Sequence, residues 1–227
     1  MIYYDLHVAI AEAEKAISRA KILGFGGIML SNNAADALQP AKEEGFDIVT
    51  GIIINPQTTD ELQSSLERAR NSHEIVAVAG GDYEINRAAC DDNRVDILLH
   101  PERGRGDSGM DHICAKAAAD NGVSIGMVFG EILNSKNRPR SIYFMQRNVY
   151  LCKKYNTPVI SVSGAANIWE MRAPRELASI AHVMGLELNE AIESVSLIPE
   201  QRIRENREKL AGSRFGEVRV LESHAET

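Results

Sequence analysis

The chain has 227 residues, 44% of them hydrophobic and 25% charged, enough for one folded unit whose core needs no covalent staples. Its formal net charge of -7 excludes nucleic-acid binding over the whole surface, because phosphate contacts need cations, and leaves room only for a local cationic face. The three cysteines, Cys90, Cys114 and Cys152, are odd in number, far apart and without a Cys-x-x-Cys pair, which excludes a disulfide framework and argues for a reducing compartment.

The first strand is expected from Ile2 to Val8. Ala13, Ala16, Ile17, Ala20 and Leu23 then recur at helical spacing, with Gly24 placed to stop the helix. Gly26 to Leu30 makes a short strand, and Asn33 is placed to cap a helix to about Glu44. Asp47 to Asn55 is a β-branched run too continuous for a half-exposed strand and suits a parallel one covered on both faces. A helix follows from Thr58 or Thr59 to about Asn71, with Asp60 and Glu61 in its first turn. Strands are expected again at Glu74 to Gly80, Val95 to Leu99, Val123 to Phe129 and Pro158 to Ser163. Helices fall between them at Tyr83 to Asp91, Asp111 to Asn121 and Arg138 to Tyr155, the last with Ile142, Met145, Val149 and Cys152 on one side. After the last strand come a helix from Pro174 to about Gly185, a short one capped by Asn189 and a charged one from Pro199 to Leu210.

This alternation predicts an α/β fold with seven parallel strands, which suits a distorted TIM-like barrel better than a regular eight. One domain spans residues 1–212. Residues 213–227 are expected to be a flexible C-terminal tail; Glu217 to Leu221 alternates, but a frayed end is the preferred reading. No apolar run approaches the roughly 18 residues of a membrane span, and the N-terminus lacks the order of a signal peptide, so a cytoplasmic location is expected.

Parallel strands deliver their following loops to one edge of the sheet, where such folds place their chemistry. LLHPERGRGDSGMDH, from Leu98 to His112, is therefore the candidate site. Arg103 and Arg105 sit among glycines that permit close approach to a phosphate, and a guanidinium suits bidentate phosphate binding. The plain alternative is that both arginines pair with Glu102 and Asp107 across a turn. His112 is either a donor at a helix N-terminus or a cap, and Arg87, Arg94 and Lys116 are either phosphate contacts or solvated charges. From Asn134 to Tyr155 there are six Lys or Arg and no acid, which reads as a second phosphate-facing strip or as a solvated cationic helix. Arg172 and Arg175 belong to the same expected edge. With 5% aromatics, base-stacking platforms are scarce, so binding should follow phosphate and shape. Neither GGD at Gly80 nor GRGDSG at Gly104 completes a nucleotide-binding fingerprint.

Asp5 and His7 at the end of the first strand, His100 at the end of the fifth and Glu131 could converge as metal donors. That set is thin for a catalytic zinc or a two-metal site, which need about three protein ligands or more.

Ile85-Asn86-Arg87, Arg94-Val95-Asp96-Ile97-Leu98 with His100-Pro101-Glu102, and GMDHICAK from Gly109 to Lys116 resemble the ribonuclease P protein component 3 family of archaea and its eukaryotic counterpart, in matching order from Tyr4 to about Leu210. The resemblance implies a barrel like that of the polymerase-and-histidinol-phosphatase enzymes without their metal chemistry. Those enzymes end their first strand in His-x-His, where this chain has Ala9, and place an Asp-x-His pair where it has Ser163-Gly164-Ala165-Ala166. It further implies a subunit that helps a catalytic RNA, using magnesium, remove the 5′ leader of precursor tRNA. No residue of the chain would be catalytic or hold metal, and partners would be the ribonuclease P RNA, protein component 2 in a dimer of heterodimers, and other subunits. Arg87, Arg105, His112 and Lys116 are the RNA contacts it maps most directly, with Arg94, Arg103, Arg172 and Arg175 beside them. The rival reading is a metal-dependent phosphoesterase of the same barrel class using Asp5, His7, His100 and Glu131.

Overall fold

The computed structural model describes residues 1–30, 45–212, 214–215 and 218–219. In chain order the elements are β1 (Tyr4–Val8), α1 (Ala13–Leu23), β2 (Gly27–Leu30), β3 (Asp47–Val49), β4 (Gly51–Ile54), α2 (Thr59–Ala69), β5 (Ile75–Ala79), α3 (Tyr83–Cys90), β6 (Ile97–Leu99), α4 (His112–Asn121), β7 (Ser124–Val128), α5 (Phe129–Asn134), α6 (Arg138–Tyr155), β8 (Val159–Val162), α7 (Pro174–Met184), α8 (Leu188–Glu193) and α9 (Leu197–Leu210). Two residue pairs, β9 (Arg214–Phe215) and β10 (Val218–Arg219), follow.

All eight strands before β9 pair in parallel, but in two sheets, β1-β2-β3 and β4-β5-β6-β7-β8. The expected count of seven is corrected at one place: the Asp47-to-Asn55 run is broken at Thr50, its first half pairing with β2 and its second with β5. Thr50 lies outside both ladders. Its N–H donates to Glu74 Oε2 at 2.7 Å, and its carbonyl accepts from Glu74 and Ile75 N–H. At the other side the sheets meet through a parallel bridge between Val8 and Ala165, where Ala9 N–H donates to Ala165 O and Gly164 N–H to His7 O. The described ladders thus stop short of a closed barrel.

Period-two alternation explains why the strands read as continuous apolar runs. Leu6, Met29, Val49, Ala77, Leu99 and Val162 pack into one cluster between the sheets, joined by Ile203 of α9. Their strand neighbours Ile28, Ile48, Val78 and Leu98 point the other way, into the layer of helices. Both faces are covered, as parallel strands require.

Local signals set most ends. Gly24 and Gly122 close α1 and α4 in the left-handed conformation, and Thr58 Oγ1 caps α2 by accepting from Glu61 N–H. The short helix α8 begins earlier than a cap at Asn189 allows: Glu187 precedes it, its N–H donating to Glu190 Oε2 at 2.8 Å. In the stretch read as a frayed tail, β9 and β10 pair antiparallel, Val218 opposite Phe215 and Arg219 opposite Arg214. The helix expected from Asn33 to Glu44 lies outside the described residues.

The amino ends of the strands carry a dense polar lock. Buried Asp96 accepts from Arg70, Asn206 and Val76 N–H, while Arg207 bridges Asp47 and Glu74. The opposite, carboxyl edge holds the loops.

Candidate nucleic-acid interface

The carboxyl edge divides into a mouth and a rim. At the mouth, Asp5 is wholly buried on β1, and its Oδ1 accepts from Ser163 N–H at 3.0 Å and His7 N–H at 3.3 Å. Its Oδ2 has no hydrogen-bond partner among the described residues, and burial pushes its carboxyl up to about 6. His7 meets His100 edge-on, with ring centroids 5.7 Å apart. Burial first, then His100 and Arg103, hold His7 down to about 3, and burial also lowers His100, so both imidazoles are neutral at pH 7.

His100 adopts a left-handed φ of 53° that turns the chain out of β6. Its Nδ1 lies 2.9 Å from Glu131 Oε1, ion-pair distance without the alignment of a hydrogen bond. The same Oε1 accepts from Arg103 Nε and Nη2 at 3.1 and 3.0 Å. Contact with His100 and then the Arg103 guanidinium bring the Glu131 carboxyl down to about 2. A guanidinium therefore neutralises the carboxylate at the mouth. Among the described residues, no three His, Cys, Asp or Glu side chains come together as a metal site requires.

The rim starts where residues 100–111 leave β6. Asn86, wholly buried on α3, pins this loop: its Oδ1 accepts from Gly81 N–H, and its Nδ2 donates to the carbonyls of Pro101 and Gly109, each at 2.9 Å. Gly109, at φ 71°, lies so close to Pro101 that a side chain there would collide with its carbonyl oxygen. Buried Asn148 of α6 holds the next turn through Ser108 O at 2.9 Å. The loop is rigidly seated.

On this frame Arg105 forks onto Asp107 at 2.6 and 2.9 Å, so pairing across the turn does occur there. Arg103 instead reaches Glu131. The Arg105 partner is the exposed member, with 65% of its side-chain surface open against 22% for Arg105, and exposed ion pairs yield easily to a competing anion. Arg105 also lies 6.0 Å over the ring of Tyr83, whose hydroxyl donates to Asp111 at 2.9 Å. Asp111 caps α4 through Ile113 and Cys114 N–H, which removes capping as a role for His112. His112 and Lys116 stand exposed one turn apart on α4, and Arg87 is exposed on the adjacent α3.

The sequence-derived set is thus only partly brought together. Arg87, Arg105, His112 and Lys116 share the loop and the two helices beside it. Arg94 does not join them: it precedes β6 at the amino edge, forks onto Asp92 at 2.9 and 2.6 Å and contacts Gln63. Arg172, on the carboxyl edge, lies 5.0 Å over Phe129 and donates to Trp169 and Met171 carbonyls, while Arg175 is exposed in the first turn of α7.

Two arginines of the acid-free strip between Asn134 and Tyr155 complete the rim. Arg140 Nη2 donates to Arg105 O at 2.8 Å, and Arg147 lines a groove of about 380 Å³ with Tyr83, Gly106, Asp107 and Tyr143. Their signal was the acid-free composition of α6, whose phase only the packing reveals.

A family model described as RNase P subunit p30 matches residues 2–211. Ribonuclease P protein component 3 of Methanosarcina acetivorans is 37% identical over 202 residues, 86% of this chain and 84% of that protein. The same component of Methanococcoides burtonii is 36% identical over 214 residues, 90% of this chain and 88% of that protein. A chain in the cryo-EM structure of archaeal ribonuclease P with mature tRNA superposes with a TM-score of 0.81 at 25% identity, covering 98% of this chain and 100% of its own. Histidinol phosphate phosphatase of Lactococcus lactis, crystallised with zinc, L-histidinol and phosphate, superposes at 0.54 with 11% identity over 83% of this chain and 93% of its own, a likeness of fold alone.

Proposed function

Since the chain belongs to the RNase P subunit p30 family, we propose that it serves as a protein subunit of ribonuclease P, helping a catalytic RNA to remove the 5′ leader from precursor tRNA. The single observation that carries this reading is the match over nearly the whole chain to a chain of archaeal ribonuclease P solved with mature tRNA. The phosphoesterase alternative loses its support where Glu131 is taken up by Arg103 and His100.

The RNA supplies the bond cleavage with its own magnesium, and this protein positions phosphate. Arg87, His112 and Lys116 offer exposed cations around a loop fixed by Asn86, and Arg105 joins them when phosphate displaces Asp107. Arg103 and Arg172 edge the mouth, Arg175 extends the same side, and Arg94 contributes on the far edge if RNA wraps that far. An otherwise acidic surface suits basic protein partners, among them protein component 2 in a dimer of heterodimers. We further infer that the two sheets form an unclosed TIM-like barrel of the polymerase-and-histidinol-phosphatase kind. No helix of the described residues is long and apolar enough to cross a membrane, and a cytoplasmic site of action accords with the reducing compartment that the unpaired cysteines suggest.

The test is precursor-tRNA cleavage by the reconstituted particle with and without this chain. Omission is expected to slow cleavage, and unaltered cleavage on omission overturns the reading. Arg87→Ala with Lys116→Ala should leave the fold intact and reduce the salt dependence of RNA affinity, by a slope of roughly 0.7 to 0.9 in log K against log salt for each phosphate that is no longer neutralised.

A further inference from the structure

Helix α6 presents five side chains along one face that its packing leaves open. Arg140, Tyr143, Arg147, Tyr150 and Lys154 follow at spacings of three, four, three and four, which places them within roughly 80° of one another around the axis and along about 21 Å of helix. All five are exposed, and the tyrosines are unusually so, at 63% for Tyr143 and 59% for Tyr150. The opposite side, with Met145, Asn148, Val149 and Cys152, is buried. Cation and aromatic ring alternate from end to end, and α6 contains no acidic residue.

The ribbon is continuous with the rim. At its start Arg140 is fixed by Arg105 O and lies 5.2 Å over Phe144. Tyr143 and Arg147 line the 380 Å³ groove beside residues 106–111, and Tyr150 and Lys154 line a second groove of about 580 Å³ toward Met184 and Gly185. Of the acids at its flanks, Asp111 is held by Tyr83 and the start of α4, Glu187 by Lys153 at 2.9 Å, and Asp107 by Arg105 until phosphate displaces it. A row of solvent-facing tyrosines contributes little to the core, yet each offers a π-face to a base, and the cations between them are placed for the intervening phosphates.

We propose that this face of α6 binds an unpaired segment of RNA, with bases stacked on Tyr143 and Tyr150 and phosphates held by Arg140, Arg147 and Lys154. Duplex RNA can reach the cations but not stack on the tyrosines, because its bases are stacked on one another and present phosphates, 2′-hydroxyls and base edges rather than open faces. The inference rests on the subunit reading only in taking the ligand to be RNA.

The test measures binding of the full chain to a fluorescent 12-nucleotide oligouridylate and to a 12-base-pair RNA duplex. The single strand is expected to bind more tightly. Tyr143→Leu and Tyr150→Leu should each weaken it by about tenfold, leaving duplex affinity unchanged, whereas Tyr143→Phe and Tyr150→Phe should bind as the native chain does. Because both rings are exposed, thermal melts of the variants should coincide with the native protein. Equal binding of strand and duplex, undiminished binding in the leucine variants, or an equal drop in the phenylalanine variants overturns the proposal. So does protection of the tyrosines only when other protein subunits are added, which makes the face a protein contact. The particle separates the two readings: cleavage that needs the chain but ignores both leucine variants, with no strand preference, sinks this inference alone, and dispensability of the chain with strand binding intact sinks the subunit reading alone.

Discussion

The mouth of the sheets and the rim beside it use the same kinds of residue for opposite ends. At the mouth, His7, His100, Arg103 and Glu131 satisfy or silence one another: both imidazoles are held neutral and one guanidinium is spent on the carboxylate that would otherwise attract a cation. At the rim, Arg87, His112, Lys116 and Arg147 stand exposed on three neighbouring helices, and the polar groups that are buried there, Asn86 and Asn148, face inward to hold backbone. The difference teaches that charge alone does not mark a site. What matters is whether the fold consumes it.

Loosening the frame of the rim should break that contrast most severely. Gly109→Ala forces a side chain into the Pro101 carbonyl at a left-handed position and disturbs the amide of Asn86. The expected cost is about 4 kcal/mol, the sum of backbone strain and overpacking, which lowers Tm by about 10 °C in a domain of this size. RNA affinity should fall with it, since the loop carrying Arg105 loses its seat. A Gly109→Ala chain with native Tm would show that the loop is not held as described.

Much of the frame was legible in advance. The apolar runs announced their strands because parallel strands are buried on both faces, and Gly24 and Gly122 announced helix ends because few residues tolerate their backbone. What hid was tertiary. Thr50 interrupts an unbroken β-branched run, and nothing local distinguishes it from its neighbours; only the pairing of each half with a different strand does so. Arg94 and Arg105 look alike as loop arginines, yet one precedes its strand and the other follows, which puts them at opposite edges. Asn86 reads as an ordinary helix residue until two carbonyls, 15 and 23 positions away, converge on its amide. The tyrosines of α6 were countable, but the spacing that aligns them with Arg140 and Arg147 carries meaning only once the buried side is known.

Acid should sharpen the contrast, because the mouth titrates and the rim arginines do not. The neutral His7 gives stability that is complete above pH 6.5, the unfolded value, and is lost as pH falls toward about 3; lowered His100 acts in the same sense. The Glu131 contribution is complete above 4.5 and lost toward about 2. Asp5 has the opposite sign: raised to about 6 from 3.8, it is most favourable below 3.8, and its cost appears as pH rises through 6. Asp5→Asn keeps an oxygen for the Ser163 and His7 N–H groups and removes that cost. Relative to the native chain it should therefore gain about 2 kcal/mol between pH 4 and pH 7, read from urea melts across that range. A pH-independent difference would mean that Asp5 is ordinarily ionised and the mouth less sealed than its geometry says.

The smallest expected effect is the response of the mouth to metal. If Asp5, His7, His100 and Glu131 formed a working site, zinc at a hundred times its dissociation constant would stabilise the fold by about 2.7 kcal/mol and raise Tm by about 5 to 10 °C. Binding there would have to expel the Arg103 guanidinium from Glu131 and turn His100 off its present contact, with Ala9 supplying no replacement donor. Each demand opposes binding, so zinc or manganese should leave Tm within about 1 °C of the metal-free value, well below that linkage. Arg103→Ala is the variant that presses the point: it removes the competing cation while leaving the four donors in place. If Tm still does not respond to metal, the missing ligands decide the outcome; if it now does, the guanidinium alone kept the metal out.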